Sequence, residues 1–213
     1  AQLCGVPGDR RDPRLVTRMR PLVLLDFWGV IGVVQTRDDL AAMAGRLGVD
    51  QQPFTEAYWQ HRSFYDAGGD RREYWSLVAG EVGRTVDDDA VADLGQLDVA
   101  SWSRVHPEML DLIADLRQDG RRLALLSNAP LDLVEHACRV LEGLVPELLF
   151  SSHLGLAKPD PAIFVEALRR LQVPAADVVF VDDNVENVQA ARDVGMVGVH
   201  HISVALTRDF LEA

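Results

Sequence analysis

The chain is almost without lysine and almost without cysteine. Lys158 is the only lysine among 213 residues, so arginine carries every other positive side chain. A GC-rich genome accounts for that bias, because arginine codons are richer in G and C. Cys4 and Cys138 are too few for a disulfide framework, and they fit a reduced, cytoplasmic compartment. No apolar run approaches the roughly 20 residues needed to span a bilayer. Internal repeats and low-complexity tracts are also missing. Positive charge is scarce overall. A formal net charge of −12 argues against electrostatic capture of nucleic acid or an anionic membrane. An anionic substrate therefore requires a local positive site that offsets the global field.

What remains is the composition of an ordinary globular protein, with 48% hydrophobic and 25% charged residues. The length suits one good-sized domain, or a core carrying a smaller insertion. Residues 1–18 hold Pro, Gly and Arg but no apolar signal-peptide core; they read as a flexible leader, with Met19 as an alternative start. Nothing in the pattern specifies an oligomeric state.

A first strand is predicted over 21–26. From Thr36 the period becomes helical. Thr36 and Asp39 resemble a capping box, and Leu40, Met43, Ala44 and Leu47 repeat before Gly48. Phe54, Ala57, Tyr58, His61 and Tyr65 predict a second helix. Tyr74, Trp75, Val78 and Val82 predict a third that ends at Gly83. Asp87-Asp88-Asp89 favours the amino end of a fourth, by interaction with the helix dipole. Residues 36–106 thus read as helices without a strand. After Pro107 helix and strand alternate: helix to Gly120, strand 122–126, helix 131–141, strand near 148–151, helix 161–171, strand 178–182, helix 185–194, strand 197–202. Such alternation predicts an α/β fold, a Rossmann-like parallel sheet flanked by helices. The core is expected over 19–35 and 107–213, with 36–106 as an inserted all-α cap at the edge that carries Asp26. Insertions there commonly act as lids.

The chemistry-bearing residues follow the strands. Asp26 ends the apolar run Leu22-Val23-Leu24-Leu25 and opens into Phe27-Trp28-Gly29-Val30-Ile31. Open α/β sheets place their ligands at such carboxyl ends. Ser127-Asn128 follows a second apolar run, Lys158 stands before Pro159, and Asp182-Asp183 follows a third. Taken singly each has a bland reading. Asp26 would be a turn residue, Ser127 reads equally well as a cap, Lys158 as a solvated side chain, and Asp182-Asp183-Asn184 as a helix N-cap. A cap needs one acid, however, and two adjacent acids repel unless something positive is near.

Taken together these segments resemble the haloacid dehalogenase superfamily of hydrolases, over nearly the whole chain beyond residue 19. Four motifs occur in order: Asp26-Phe27-Trp28-Gly29-Val30, Ser127-Asn128-Ala129-Pro130, Lys158-Pro159-Asp160-Pro161, and Asp182-Asp183-Asn184 with Asn187. The resemblance implies that Asp26 attacks phosphorus, that Ser127 with its loop holds a phosphoryl oxygen, and that Lys158 offsets the charge. Asn128 belongs to the same loop and is expected at the substrate. The resemblance also implies Mg²⁺, held by Asp26, the backbone carbonyl of Trp28 and Asp183, with Asp182 adjacent or acting through water. The expected partner is a small phosphorylated metabolite, bound with help from the cap residues His61, Arg62 and Tyr65 and the Gly68-Gly69 turn. At helical spacing the aromatic ones are more often core. His153 and His200-His201 lack metal-ligand spacing.

Trp28 departs from the pattern. Phosphatases of the superfamily usually carry a second Asp there, which protonates the leaving group and then activates water. Indole donates one hydrogen bond and shuttles no proton at neutral pH. General acid–base catalysis is worth about 10²–10⁴ in rate. Trp28 therefore implies a slow enzyme, a substitute group, or a walled-off pocket without turnover. Its side chain is expected at the pocket, since position +2 of an extended segment returns to the same side. Phosphonatase-like chemistry needs a cap lysine and is excluded. A 2-haloacid dehalogenase-like hydrolase and a catalytically impaired ligand- or protein-binding relative remain as alternatives, although the acidic pair favours metal-assisted phosphoryl transfer.

Overall fold

The computed structural model describes residues 20–212, so the leader expected over 1–18 lies outside the described residues. Five parallel strands form one sheet in the order β3-β2-β1-β4-β5: β1 Leu22–Leu25, β2 Leu123–Ser127, β3 Glu147–Phe150, β4 Val178–Asp182 and β5 Val197–His200. The three central strands are buried along their whole length, as a sheet covered on both faces requires. Alternate residues feed two cores. Val23, Leu25, Leu123, Leu125, Val179 and Val181 face the helices α6 (Pro107–Gln118), α7 (Leu131–Val140) and α11 (Val204–Glu212). Leu22, Leu24, Ala124, Leu126, Val178 and Phe180 face α9 (Pro161–Leu171) and α10 (Val185–Asp193). Each fully buried Leu or Val contributes about 1.5–3 kcal/mol, so the period-2 pattern fixes which side of the sheet each residue occupies.

Between the first two strands lie α1 (Arg37–Leu47), α2 (Gln51–Gln60), α3 (Arg62–Asp66), α4 (Arg71–Glu81) and α5 (Asp88–Ser101). They enclose an apolar core of their own around Phe54, Tyr58, Tyr74, Trp75 and Leu94. The Thr36–Asp39 capping box is present, and Asp87 caps α5 through its side chain. The predicted second helix is broken at His61, so Tyr65 belongs to a separate short helix. Two further differences lie in the core. A four-residue helix α8 (Ser151–Leu154) follows β3 directly, and the last strand ends at His200 and not at residue 202, with α11 starting at Val204.

The two linkers between cap and core are tied together. Val33 N–H donates to the Arg104 carbonyl at 2.9 Å and His106 N–H to that of Ile31 at 2.8 Å. Arg104 also pairs with Asp39 at 2.6 Å. Farther from the hinge, Asp132 on α7 accepts hydrogen bonds from Arg71 and from the Tyr65 hydroxyl, clasping cap to core. Among the described residues no helix is long and apolar enough to cross a membrane.

Candidate active site

Strand register brings the functional side chains together. Leu25 pairs with Leu125 on one side and Val181 on the other, so Asp26 leaves the sheet beside Ser127 and Asp182. The order of strands reverses at β1 and β4, and the crevice at that switch point is where parallel sheets bind ligands. Ser127 is the last residue of β2 and not a cap; its hydroxyl donates to Asp26 Oδ1 at 2.7 Å. Lys158 Nζ lies 2.8 Å from the same oxygen and 2.6 Å from Asp182 Oδ2. The Phe27 amide supplies a third donor to Oδ1 at 2.7 Å. All three donors hold Oδ1, while Oδ2 accepts from no group among the described residues. The carboxylate is thus oriented by one oxygen and presents the other.

The lysine is far from a solvated side chain, with only 1% of its side chain exposed. Asn128 accounts for its placement. Its amide donates to the Lys158 carbonyl and accepts from the Lys158 N–H, both at 2.8 Å. Asn128 was expected at the substrate; its amide is instead committed to the Lys158 backbone, so it positions the cation.

On the other side of the crevice, Asp182 is saturated. It accepts from Lys158, from the Asn184 N–H at 2.8 Å and from Asn187 Nδ2 at 3.0 and 3.1 Å. Asn184 is the N-cap of α10, which leaves the Asp183 side chain free of that task. Oxygens of Asp26, Asp182 and Asp183 lie within 4.8 Å of one another.

Three carboxylates face one ammonium, and the protonation equilibria show the strain. Burial pushes the Asp26 carboxyl up to about 7, against the pull of Lys158 and with the repulsion of Asp182. Asp183 is raised by burial and by Asp182. Burial alone would lower Lys158, but the two carboxylates outweigh it and hold the ammonium above its ordinary value. Hard oxygen donors with an excess of negative charge fit a divalent cation such as Mg²⁺.

Gly29 is required by this geometry. Its φ of +88° is left-handed, and a Cβ there would stand 2.2 Å from Asp183 Cγ. Gly29→Ala is expected to displace the Asp183 carboxylate and strain the turn by about 1–2 kcal/mol. If Asp183 helps hold a divalent cation, activity titrated against Mg²⁺ should then require far more of it, with the melting temperature lowered by only a few degrees. An unchanged titration would show that Asp183 is dispensable.

The segment after Asp26 is not extended, which corrects the alternation argument for Trp28. Ile31 N–H and Gly32 N–H both return to the Phe27 carbonyl at 2.7 Å, so residues 27–32 form a tight turn. The Trp28 indole packs on Phe27 and Trp102, and its N–H donates to the Trp102 carbonyl at 3.1 Å. It has no proton to offer a substrate.

The cap residues singled out from sequence are also committed. Arg62 is buried, pairing with Asp66 at 2.9 Å and Asp98 at 3.1 Å. The Tyr65 hydroxyl binds Asp132, and His61 Nε2 lies 3.2 Å from Glu81. None of the three hydrogen-bonds to Asp26, Ser127 or Lys158. Gly68 of the Gly68-Gly69 turn abuts the backbone of Ser152, so the turn packs on the core. Asp66, Asp98, Trp102 and Asp132 escaped the sequence reading, because only tertiary contacts mark them.

Known proteins resemble this chain in sequence and in fold. A family model described as haloacid dehalogenase-like hydrolase matches residues 21–195. The chain is 33% identical over 104 residues to a sesquiterpene phosphatase of Aspergillus oryzae, covering 46% of this chain and 50% of that protein. It is 30% identical over 102 residues to a glyceraldehyde 3-phosphate phosphatase of Methanopyrus kandleri, covering 46% and 44%. These matches span about half the length of the relatives. An enzyme of Bacteroides thetaiotaomicron solved with magnesium and inorganic phosphate superposes with a TM-score of 0.69 at 18% identity, covering 84% of this chain and 93% of that one. An L-2-haloacid dehalogenase superposes at 0.66 with 19% identity, covering 91% and 99%. At such identities the structural likeness concerns the fold alone.

Proposed function

The chain belongs to the haloacid dehalogenase-like hydrolases, and on that footing we propose that it is a Mg²⁺-dependent phosphatase of a small phosphorylated metabolite. The observation that carries this reading is the Asp26 carboxylate, anchored through Oδ1 by three donors and open at Oδ2. Asp26 Oδ2 attacks phosphorus as the bond to the leaving oxygen breaks, giving an aspartyl-phosphate that water then hydrolyses. Splitting the displacement in this way turns one hard step into two easier ones. Ser127 and Lys158 hold the nucleophile and offset negative charge at the phosphoryl group. Asp26, Asp183 and the Trp28 carbonyl would hold Mg²⁺, with Asp182 adjacent. Bound there, the cation neutralises the repulsion between carboxylate and phosphate. The acidic pair at Asp182-Asp183 favours this chemistry over carbon–halogen cleavage, which has no use for it.

Phosphate release from sugar and nucleoside phosphates, with Mg²⁺ or EDTA, tests the reading. Release with Mg²⁺ and none in EDTA is expected. Halide release from a 2-haloacid, indifferent to EDTA, would replace it with dehalogenation, and binding without turnover would replace it with a non-catalytic role.

A thermodynamic signature should accompany it. A carboxyl whose folded pKa is raised stabilises the fold below its unfolded value, and that contribution is lost as pH rises through the folded one. For Asp26 the loss falls between roughly pH 4 and 7, from its ordinary and raised values. Metal-free protein should therefore melt lower at pH 8 than at pH 5. Mg²⁺ binds the deprotonated site, so it should raise the melting temperature more at pH 8. Equal Mg²⁺ shifts at both values would count against a carboxylate metal site.

A further inference from the structure

We infer that Asp66 is the proton-transfer carboxylate of this site, supplied by the cap in place of the acid–base that Trp28 cannot provide. The inference rests on the phosphatase reading and names a residue which that reading leaves open.

Asp66 is the last residue of α3 and lies where cap meets core. Its backbone carbonyl accepts a hydrogen bond from the Ser151 hydroxyl, and Ser151 Oγ accepts from the Ala129 N–H at 2.8 Å. Ala129 sits two residues after Ser127 in the loop that carries the site hydroxyl. Two hydrogen bonds therefore separate the Asp66 backbone from the loop that would hold the phosphoryl group. The Asp66 side chain is 13% exposed, and it feels the charge of Lys158, whose ammonium touches the nucleophile.

The charges around Asp66 make it the carboxylate able to gain and lose a proton. Three groups act on it: Arg62 on its own helix, Asp98 on α5 and Lys158 from the core. Arg62 has two carboxylate partners for one guanidinium. Asp98 is the anchored one, 1% exposed and bound by Arg62 Nη1 through both oxygens at 3.1 Å, by the Tyr58 hydroxyl at 2.6 Å and by Gln35 at 3.3 Å. Asp66 accepts a single side-chain bond, from Arg62 Nε to Oδ1 at 2.9 Å, and Oδ2 has no partner among the described residues. A proton on Asp66 leaves Arg62 paired with Asp98, whereas a proton on Asp98 would disrupt the network. Burial also raises Asp66 above the ordinary carboxyl value, the direction an acid–base role requires.

The proton balance closes. As the phosphorus–oxygen bond breaks, the Asp66 carboxyl gives its proton to the leaving oxygen and becomes a carboxylate. When water attacks the aspartyl-phosphate, Asp66 takes a proton from that water as phosphate departs from Asp26. Both carboxyls then return to their starting states.

The test compares leaving groups in the full-length protein with Mg²⁺. In Asp66→Asn, kcat on an alkyl phosphate should fall about 10²-fold or more. The first-turnover burst of p-nitrophenol from p-nitrophenyl phosphate should change less than a few-fold, since that leaving group needs no proton. Acid-quenched phosphoenzyme should accumulate, because the second step lacks its base. Asp66→Glu should restore part of the alkyl-phosphate rate, and it serves as the deciding variant if Asp66→Asn melts below the assay temperature. Equal loss on both substrates, or no loss on either, overturns the assignment while leaving the phosphatase reading intact. No phosphate release by the wild type overturns both.

Discussion

Asp26→Asn should remove phosphate release altogether, lowering kcat by about 10⁴-fold or more, the scale seen when a covalent nucleophile is deleted. The fold should survive. Asparagine keeps an oxygen where Oδ1 accepts from Phe27, Ser127 and Lys158, and it relieves a buried carboxyl that burial already pushes up to about 7. Lys158 retains Asp182 at 2.6 Å as its partner. The variant should therefore melt within a few degrees of the wild type and yield no phosphoenzyme on acid quenching. Residual turnover at a tenth of the wild-type rate would mean that the bond is broken by water alone, with Asp26 as a mere ligand.

The second large effect concerns stability as much as rate. Lys158→Met should remove activity and destabilise the protein by about 3–5 kcal/mol, as expected when one member of a buried ion pair is lost. Asp26 and Asp182 are 7% and 0% exposed, and no other cation touches them in the structure among the described residues. About 1 kcal/mol corresponds to about 2–4 °C in melting temperature for a chain of this size, so a drop of about 10 °C is the expected scale. The deficit should widen with pH. Without the ammonium, the folded pKa of Asp26 rises further above its unfolded one, and stability of that kind is lost as pH rises. The variant should thus approach the wild type near pH 4 and fall away toward pH 8. A constant deficit across that range would mean that packing of the lysine stem, and not its charge, is what the fold needs.

Much of the fold was legible because burial and periodicity coincide. Leu22–Leu25, Leu123–Leu126 and Val178–Val181 are apolar on both faces, which only a covered parallel sheet explains. Asp26, Ser127 and Asp182 could be read as neighbours because each closes one of these runs, and parallel register then does the rest. Helix α11 was less legible, since a nine-residue segment with Thr207, Arg208 and Asp209 inside it gives a short and mixed signal. The break is a local matter of one residue, His61, in a long helical pattern, and no Gly or Pro announces it. The cap contacts could not be read at all. Tyr65 and Arg71 meet Asp132 across more than sixty residues of sequence, and Arg62 meets Asp98 across 36. Such contacts depend on how separate helices pack against one another, and helical spacing carries no record of that packing. The misplaced expectation for Trp28 has the same origin, because the argument from alternation assumed a straight strand where Gly29 turns the chain.

The solitary lysine has a consequence outside catalysis. With Lys158 locked between two carboxylates at 1% side-chain exposure, the folded protein offers no lysine amine to the solution. Acylating reagents, lysine-directed cross-linkers and ubiquitin-conjugating enzymes find no lysine side chain to modify until the site itself opens. The rate at which an amine-reactive probe labels this one residue is then a direct clock for exposure of the crevice, readable by mass spectrometry without any substituted residue.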